Sequence, residues 1–273
     1  MDRDRQPIRP FLKWAGGKRA LIAQFAAYLP SGFKRYREPF VGSAALFFHL
    51  APARATLSDN NERLIRTYRG LRDHPGEVLA RLRSYPHDRE FFLQMRTRDI
   101  DAQEDPDVAA WMIYLNKTGY NGLYRVNSKN RFNVPFGDYK KPNYRDEATL
   151  RRCAARLKGV KLEVVDFEKA AGWARRGDFV YFDPPYVPLS ATSSFTSYTQ
   201  HGFADDAQRR LRDAAVRLRR RGVHVCVSNS SAPRVYELYE GDDFDLVPIQ
   251  ARRSISTRSD RRGMVRELLI VGR

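Results

Sequence analysis

The sequence predicts an α/β fold built on an open, largely parallel sheet. Five short apolar or β-branched runs alternate with segments of helical periodicity, and each run ends in a polar residue or a turn. These runs span residues 36–40, 55–59, 161–166, 178–183 and 222–228. Two later runs, 244–249 and 264–271, are close enough in sequence to pair as a terminal antiparallel ribbon.

The clearest helix is expected at residues 205–221. Apolar side chains recur there at helical spacing, and Gly222 follows as a stop signal. They are Ala207, Leu211, Ala214, Ala215 and Leu218. The arginines on the opposite face are expected to be solvated.

Between Asn61 and Glu147 the alternation of strands and helices fails. Helical patterns at 77–83 and 108–116 lead into a stretch rich in Gly, Asn, Tyr and basic residues. We therefore predict an insertion between the second and third strands. The predicted division is a catalytic domain of residues 1–60 and 147–273 and an inserted domain of residues 61–146.

The inserted domain contains a predicted β-hairpin. Residues 123–127 and 131–135 flank Ser128-Lys129-Asn130, a pattern typical of a hairpin with a three-residue loop. A basic, aromatic hairpin suits a DNA groove. A purely structural hairpin fits the pattern equally well.

Composition indicates a folded protein that meets a polyanion. The 273 residues carry a formal net charge of +17 and a sequence pI of about 10.1, yet 42% are hydrophobic. Lys and Arg that neutralise phosphates release counterions, which favours nucleic-acid binding. An anionic membrane is the rival partner, but the basic residues are spread over the whole chain. A GC-rich genome would also enrich arginine.

Several classes of protein are disfavoured. Cys153 and Cys226 form no Cys-x-x-Cys pair, and the five histidines have no metal-ligand spacing, so we expect no metal. Phe11–Lys18 departs from the phosphate-loop pattern, and neither Gly-x-Gly-x-x-Gly nor Gly-x-Ser-x-Gly occurs. Residues 1–5 lack the apolar core of a signal peptide, and no segment approaches the length of an apolar membrane span, so we expect a cytoplasmic protein without a membrane contact.

The most informative motif is Asp183-Pro184-Pro185-Tyr186, which closes the apolar run 179–182. Each proline holds φ near −65° and keeps the residue before it extended, so no helix can start here. The Asp183 carboxylate and the Pro184 carbonyl then offer two acceptors beside the Tyr186 ring. This is a pocket for a flat molecule that bears an NH₂ group. A plain proline-rich turn is the alternative.

Other acidic residues also stand at predicted strand ends. Glu38 precedes the small residues Gly42-Ser43-Ala44, Asp59 ends the second run and Asp166-Phe167 ends the third. Ligands of open parallel sheets bind beyond the carboxyl ends of the strands. A nucleoside offers hydroxyls to a carboxylate and a flat base to Phe167. Each aspartate alone is typical of a helix cap or a turn.

Taken together, these segments resemble the Dam-type DNA adenine-N6 methyltransferases, the GATC-specific members of the Asp-Pro-Pro-Tyr family. The resemblance rests on residues 11–18, 38–44, 57–59, Asp166-Phe167 and the Asp183 motif, and it extends to 114–123, 131–137 and 188–192. It implies a Rossmann-like S-adenosylmethionine-dependent methyltransferase sheet with a helical, hairpin-bearing DNA-recognition insertion. It also implies double-stranded DNA as the partner, and we expect a monomer.

The resemblance further implies roles for individual residues. Asp183, Pro184 and Tyr186 would be catalytic. S-adenosylmethionine would be held by Trp14, Lys18, Phe40, Asp59, Asp166, Phe167 and Asp183. The residues implied to contact DNA are Lys13, Tyr120, Asn121, Leu123, Arg125, Pro135 and Tyr139.

Two positions depart from the family pattern. Ser43-Ala44 stands where many relatives place a second glycine, and Asp138 stands where the GATC-directed members have a basic residue. Two alternatives to a GATC-directed enzyme remain open. One is the same reaction at another site, as part of a restriction-modification system, and the other is a catalytically silent DNA-binding protein.

Overall fold

The computed structural model describes residues 7–16, 18–189, 203–241, 243–252 and 264–272. The chain forms two compact units. The first comprises Met1–Gly17, Gly42–Ala51 and Asn61–Val164, and the second comprises Lys18–Val41, Pro52–Asn60 and Val165–Arg273. This division concerns compactness, so the assignment of residues 61–146 to DNA recognition stays a prediction.

The described residues contain seven strands. They are β1 Tyr36–Glu38, β2 Ala55–Asp59, β3 Lys161–Val164, β4 Phe179–Phe182, β5 His224–Ser230, β6 Phe244–Arg252 and β7 Met264–Gly272. Strand β3 belongs to the first unit and the other six to the second.

Ten α-helices lie in the described residues. They are α1 Ile22–Phe25, α2 Ala45–Leu50, α3 Glu62–Asp73, α4 Pro75–Ser84, α5 Arg89–Thr97, α6 Asp105–Thr118, α7 Glu147–Leu157, α8 Phe167–Gly172, α9 Asp205–Arg220 and α10 Pro233–Tyr239. Five of them, α3 to α7, follow one another between β2 and β3. The mixed α/β class predicted from the sequence is confirmed.

The second unit is built on a mixed sheet in which its six strands follow the order β2-β1-β4-β5-β7-β6. Strands β2, β1, β4 and β5 are parallel, with Tyr36 opposite both Ala55 and Phe179. Strand β7 runs antiparallel to β5 and to β6, so the predicted terminal ribbon is confirmed. Strand β1 ends at Glu38, two residues earlier than expected, because Pro39 has no N–H for the ladder.

Strand β4 lies in the middle of this sheet. All four of its side chains are buried, as is typical of a parallel strand covered on both faces. Phe182 packs in one apolar cluster with Leu211 and Leu218 of α9 and with Val225 of β5. The residue after β4, Asp183, is thereby placed at the carboxyl end of the sheet.

The first unit is a helical assembly around α6, of which 11 of 14 residues are buried. Helices α3, α4 and α5 pack against it. Asn61, Asp88 and Asp146 cap α3, α5 and α7 by accepting hydrogen bonds from backbone N–H groups of the first turn. The helical patterns at 77–83 and 108–116 lie within α4 and α6, so the helical nature of the insertion is confirmed.

The hairpin has less regular strand pairing than the sequence predicted. Only isolated antiparallel bridges form, between Val126 and Phe132 and between Gly119 and Phe136, so the expected continuous strands are wrong. The Asn127 carboxamide oxygen accepts from the backbone N–H groups of Lys129 and Arg131, at 3.0 Å each. These side-chain bonds close the loop in place of a regular ladder.

Candidate active site

Asp183 and Lys18 form a close ion pair at the carboxyl end of β4. The Lys18 Nζ atom lies 3.0 Å from Asp183 Oδ1, and the side chains are 3% and 24% exposed. Burial raises the pKa of the Asp183 carboxyl to about 6, and Glu267 adds to the increase, while Lys18 acts against it. Asp183 is therefore an acceptor at neutral pH and becomes a donor in mild acid.

Tyr186 and Glu267 complete this group. The Tyr186 hydroxyl donates to Glu267 Oε2 at 2.8 Å, and Lys18 Nζ lies 4.5 Å from the centre of the Tyr186 ring. Burial, with Asp183 and Glu267 nearby, raises the pKa of Tyr186 well above its usual range, so the hydroxyl keeps its proton. Lys18, Asp183, Tyr186 and Glu267 are called the Asp183 cluster below.

Sequence analysis missed Glu267. It lies on β7 and is the one carboxylate of that otherwise mostly apolar strand. A charge within an apolar strand is a signal that could have drawn attention to it. The partner was not predictable, because 81 residues separate Tyr186 from Glu267.

Buried polar side chains fix the segment that carries Tyr186. The Asn229 carboxamide accepts from the Val187 N–H at 3.0 Å and donates to Gln208 at 3.1 Å. Gln208 in turn donates to the Pro185 carbonyl at 2.9 Å, and the Ser230 hydroxyl donates to the Val187 carbonyl at 2.6 Å. The backbone next to the Asp183 cluster is thus held on both sides of Tyr186. Asn229, Gln208 and Ser230 were not predicted from the sequence.

Carboxylates also end two neighbouring strands of the second unit. Asp59 is the last residue of β2, and its backbone carbonyl accepts from the Val165 N–H at 3.1 Å. Glu38 ends β1, where it is buried and accepts from the Tyr36 hydroxyl at 2.9 Å. The expected row of acidic residues at strand ends is present.

The aromatic residues predicted to hold a cofactor contact one another. The Phe40 and Phe167 rings stack with their centres 5.2 Å apart. Asp166 caps α8 by accepting from the Glu168 N–H at 2.9 Å, and it also accepts from Arg210 at 3.1 Å. Asp166 therefore serves as a helix cap, while the Phe167 ring is buried between Phe40 and the Arg210 guanidinium.

Trp14 lies in the first unit, against a glycine. Its ring stacks on Tyr124 with the centres 5.6 Å apart. A Cβ added at Gly42, which has φ +44°, would meet Trp14 Cδ1 at 2.8 Å. A side chain at this position would displace the indole, so the small residue is required here.

Lys13 is anchored by its backbone. The Asn116 carboxamide accepts from the Lys13 N–H at 2.8 Å and donates to the carbonyls of Lys13 and Gly122, at 2.8 and 2.9 Å. The Lys13 Nζ atom lies 4.6 Å from the centre of the Tyr139 ring. Two predicted DNA contacts are thus adjacent, and Asn116 is a positioning residue that the sequence did not reveal.

The remaining predicted DNA contacts follow along residues 120–135. Tyr120 is 42% exposed, and Asn121 adopts φ +53°, a left-handed conformation. The Arg125 guanidinium donates twice to the Asn133 carbonyl, at 2.9 and 2.7 Å. The Pro135 carbonyl accepts from the Tyr120 N–H at 2.9 Å, which ties the two sides of the segment together.

The predicted residues therefore separate by unit. The second unit contains Lys18, Phe40, Asp59, Asp166, Phe167, Asp183, Pro184 and Tyr186. The first contains Lys13, Trp14, Tyr120, Asn121, Leu123, Arg125, Pro135 and Tyr139. Positions 190–192, part of the segment 188–192 named above, lie outside the described residues.

Two kinds of feature are absent from the described part of the chain. It holds no group of three or more His, Cys, Asp or Glu side chains arranged to bind a metal ion. None of its helices combines the length and the apolar character that crossing a membrane requires.

Comparison with protein families matches residues 14–255 to the D12 class N6 adenine-specific DNA methyltransferases. The chain belongs to this family. It is therefore an enzyme that methylates DNA at adenine N6, and the hypothesis of a catalytically silent DNA-binding protein is set aside. Glu267 lies beyond the matched residues, on the last strand.

Three curated relatives align with nearly the full length of the methyltransferase. It is 41% identical to the type II methyltransferase M1.LlaDCHI of Lactococcus lactis, over 99% of this chain and 97% of the relative. It is 39% identical to the type II methyltransferase M.MjaIII of Methanocaldococcus jannaschii, over 97% and 99%. It is 36% identical to the DNA adenine methylase of Escherichia coli K12, over 96% and 94%.

Proposed function

We propose that the methyltransferase moves a methyl group from S-adenosylmethionine to N6 of an adenine extruded from duplex DNA, with the Asp183 carboxylate and the Pro184 carbonyl as acceptors. The observation that carries this proposal is the Asp183 cluster at the carboxyl end of β4, with a carboxylate whose pKa is about 6. A carboxylate that is ionised at neutral pH, yet binds a proton readily, can accept a hydrogen bond from the amino group of the target base and later take up its surplus proton.

The chemistry of the donor set fits S-adenosylmethionine. Asp59, at the end of β2, would accept from ribose hydroxyls, and Phe40 and Phe167 would pack against the adenine of the cofactor. Lys18, Asp166 and Asp183 would supply charges for its polar groups. When bound, S-adenosylmethionine supplies a methyl group activated by a sulfonium.

Asp183 activates the target nitrogen by accepting a hydrogen bond from one of its two N–H groups, and the Pro184 carbonyl accepts a hydrogen bond from the other. The adenine amino lone pair is otherwise delocalised into the ring, and these two bonds favour a pyramidal, nucleophilic nitrogen. Lys18 keeps the carboxylate ionised through its 3.0 Å ion pair. The nitrogen has a surplus proton once it carries the methyl group, and Asp183 Oδ is the acceptor for it. No covalent enzyme intermediate is required.

Tyr186 stabilises the extruded base. Taking a base out of the duplex costs a few kcal/mol, and stacking on an aromatic ring returns about 1–3 kcal/mol. The hydrogen bond to Glu267 fixes the Tyr186 ring, so little side-chain entropy is lost when the base arrives.

GATC is the proposed target site. This rests on the similarity of residues 114–123 and 131–137 to the GATC-directed members, and these residues contain the predicted contacts Tyr120, Asn121, Leu123 and Pro135. The alternative is a different recognition sequence, methylated as part of a restriction-modification system. It is favoured by the two type II relatives, whose identities of 41% and 39% exceed that of the E. coli DNA adenine methylase.

The test is incubation with S-adenosylmethionine labelled in the methyl group and with matched duplexes that contain or lack GATC. Label on N6 of adenine in the GATC duplex alone is expected. Label on the GATC-free duplex would overturn the proposed site, and absence of label on both would overturn the donor. We further propose that the enzyme works in the cytoplasm as a monomer, which sedimentation at the assay concentration tests.

A further inference from the structure

A cavity of about 580 Å³ lies in the second unit, and basic side chains dominate its lining. Six cationic residues line it: Lys34, Arg35, Arg37, Arg54, Arg175 and Arg176. Trp173, which is 37% exposed, and a single carboxylate, Asp178, are the other lining residues. No step of the proposed reaction uses this cavity.

The cavity lies at the end of the sheet opposite to Asp183. Arg35 directly precedes β1, Arg54 precedes β2 and Asp178 precedes β4, so the lining residues gather at the amino ends of parallel strands. Asp178 and Asp183 are separated along β4 by five residue steps of about 3.3 Å, or about 16 Å. The cavity is therefore remote from the Asp183 cluster.

Five of the six cations have no acidic partner in the described part of the chain. Arg37 is paired with the buried Asp178, with Arg37 Nε 3.3 Å from Asp178 Oδ2, so these two charges neutralise each other. Lys34, Arg35, Arg54, Arg175 and Arg176 form no ion pair with any described carboxylate. By contrast, Arg209, Arg217 and Arg234 of the same unit all bind carboxylates within 3.0 Å.

The backbone holds these like charges together. The Lys34 N–H donates to the Gly177 carbonyl at 2.8 Å, and the Phe179 N–H donates to the Arg35 carbonyl at 2.8 Å. The Arg176 stem lies so close to Gly222 that an added Cβ would meet Arg176 Cγ at 2.9 Å. Like charges repel one another, so a fixed group of them is stabilised when an anion binds.

We propose that this cavity, termed the basic cavity, binds the phosphate backbone of a second DNA segment while the first segment is at the catalytic site. The Trp173 indole N–H is a further donor for a phosphate. An enzyme with two such contacts can hold a second stretch of duplex before it releases the first, which would let it transfer between segments of one molecule.

The side chains favour a nucleic-acid backbone over a free nucleotide. The five unpaired cations come from three separate stretches of chain, at 34–35, 54 and 175–176, and all five are exposed. The sequence offers no glycine-rich phosphate loop around them. Exposed cations spread over a surface are typical of contacts with a duplex, where each neutralised phosphate adds to the salt dependence of binding.

The test compares the triple variant Arg35→Gln, Arg54→Gln, Arg176→Gln with a control triple variant, Arg209→Gln, Arg217→Gln, Arg234→Gln. Both remove three charges from arginines of the second unit, all of them exposed except the half-buried Arg234, and thermal unfolding verifies that both are folded. The affinity for a 60-base-pair duplex without GATC is measured against salt. The slope of log K against log salt is expected to fall by about two to three in the first variant, since each contact contributes about 0.9. In the control it is expected to fall by less than one.

A bridging assay tests the second segment directly. An immobilised duplex is saturated with protein, and capture of a fluorescent second duplex is measured. The wild type and the control are expected to capture it, and the cavity variant is expected to lose most of this capture. An unchanged slope together with unchanged bridging in the cavity variant would overturn the proposal. Binding of ATP by the wild type but not by the cavity variant, at unchanged slope, would overturn DNA as the ligand.

These readouts do not depend on the target site or the methyl donor. If the enzyme methylates a sequence other than GATC, the slope and the bridging are unaffected. Conversely, the cavity variant should methylate a 14-base-pair duplex at the wild-type rate, because a duplex of this length is too stiff to bend round from the catalytic site to the opposite end of the sheet.

Discussion

The Asp183 cluster and residues 119–139, termed the reading segment, rely on different interactions. In the Asp183 cluster the side chains themselves are coupled, with charges packed at 3.0–4.0 Å in a largely buried setting. In the reading segment the side chains are mostly exposed, and the buried Asn116 holds the backbone instead. Methyl transfer at the Asp183 cluster should therefore depend on electrostatic interactions, and recognition of DNA by the reading segment should depend on the conformation of its backbone. Substitutions should affect the two regions in different ways.

The largest effect is expected from removing the carboxylate of the Asp183 cluster. Asp183→Ala should lower kcat by at least about 10³-fold, because both the acceptor for the amino group and the partner of Lys18 are lost. Affinity for DNA should remain within a few-fold of the wild type, since the reading segment is untouched. Single-turnover methylation and a separate binding titration measure the two quantities. If kcat falls by less than tenfold, another group activates the amine.

Substitutions in the reading segment should change the preference for the target site and leave kcat nearly unchanged. We expect the Arg125 guanidinium to make a bidentate contact with a guanine of the target site, worth about 1–3 kcal/mol of discrimination, and Arg125→Ala removes it. The ratio of kcat/KM between GATC and a site altered at that guanine should fall by about 5–150-fold, while kcat on GATC changes little. A panel of single-base variants of the site measures this ratio. An unchanged panel would remove Arg125 from site recognition, and Lys129→Ala, at the exposed tip of the hairpin, is the matched control.

Substitution of Asn116 should affect both the stability of the protein and its affinity for DNA. Asn116→Ala leaves the Lys13 N–H and the carbonyls of Lys13 and Gly122 without their partner, so the free energy of unfolding should fall by about 1–3 kcal/mol. KM for DNA should rise while kcat at saturating DNA stays close to the wild type. Denaturant unfolding and steady-state kinetics test this pair of outcomes. A normal KM in a destabilised protein would show that Asn116 supports only the fold.

The sequence predicted the regular elements of the second unit well, and its side-chain contacts less well. The buried run of β4 and the spacing of α9 are local patterns, so they could be read directly. The Asp183–Lys18 pair and the Tyr186–Glu267 bond join residues far apart in the chain, and no local pattern encodes them. In the reading segment, Asn127 makes side-chain bonds that replace the ladder, so alternation of residues predicted longer strands than form.

The smallest effect, and the most specific to the Asp183 cluster, concerns pH. Methyl transfer needs the ionised Asp183, so kcat/KM, which reports the ionisations of the free enzyme, should fall as the pH decreases through about 6, the raised pKa of this carboxyl. Lys18 lowers this pKa and Glu267 raises it, so the two variants should act in opposite directions. Lys18→Met should move the acidic limb of the profile to higher pH, and Glu267→Gln should move it to lower pH, each by about one unit.

Profiles of kcat/KM for DNA measure these shifts, and a ¹³C NMR titration of the Asp183 carboxyl in the free enzyme reports the same pKa without turnover. Arg125→Ala is the control, because a reading-segment residue should leave the limb in place. Shifts in the same direction for both variants would show that the limb reports a group other than Asp183. The coupling of charges in the cluster would then not govern the chemistry, and the contrast between the two regions would fail.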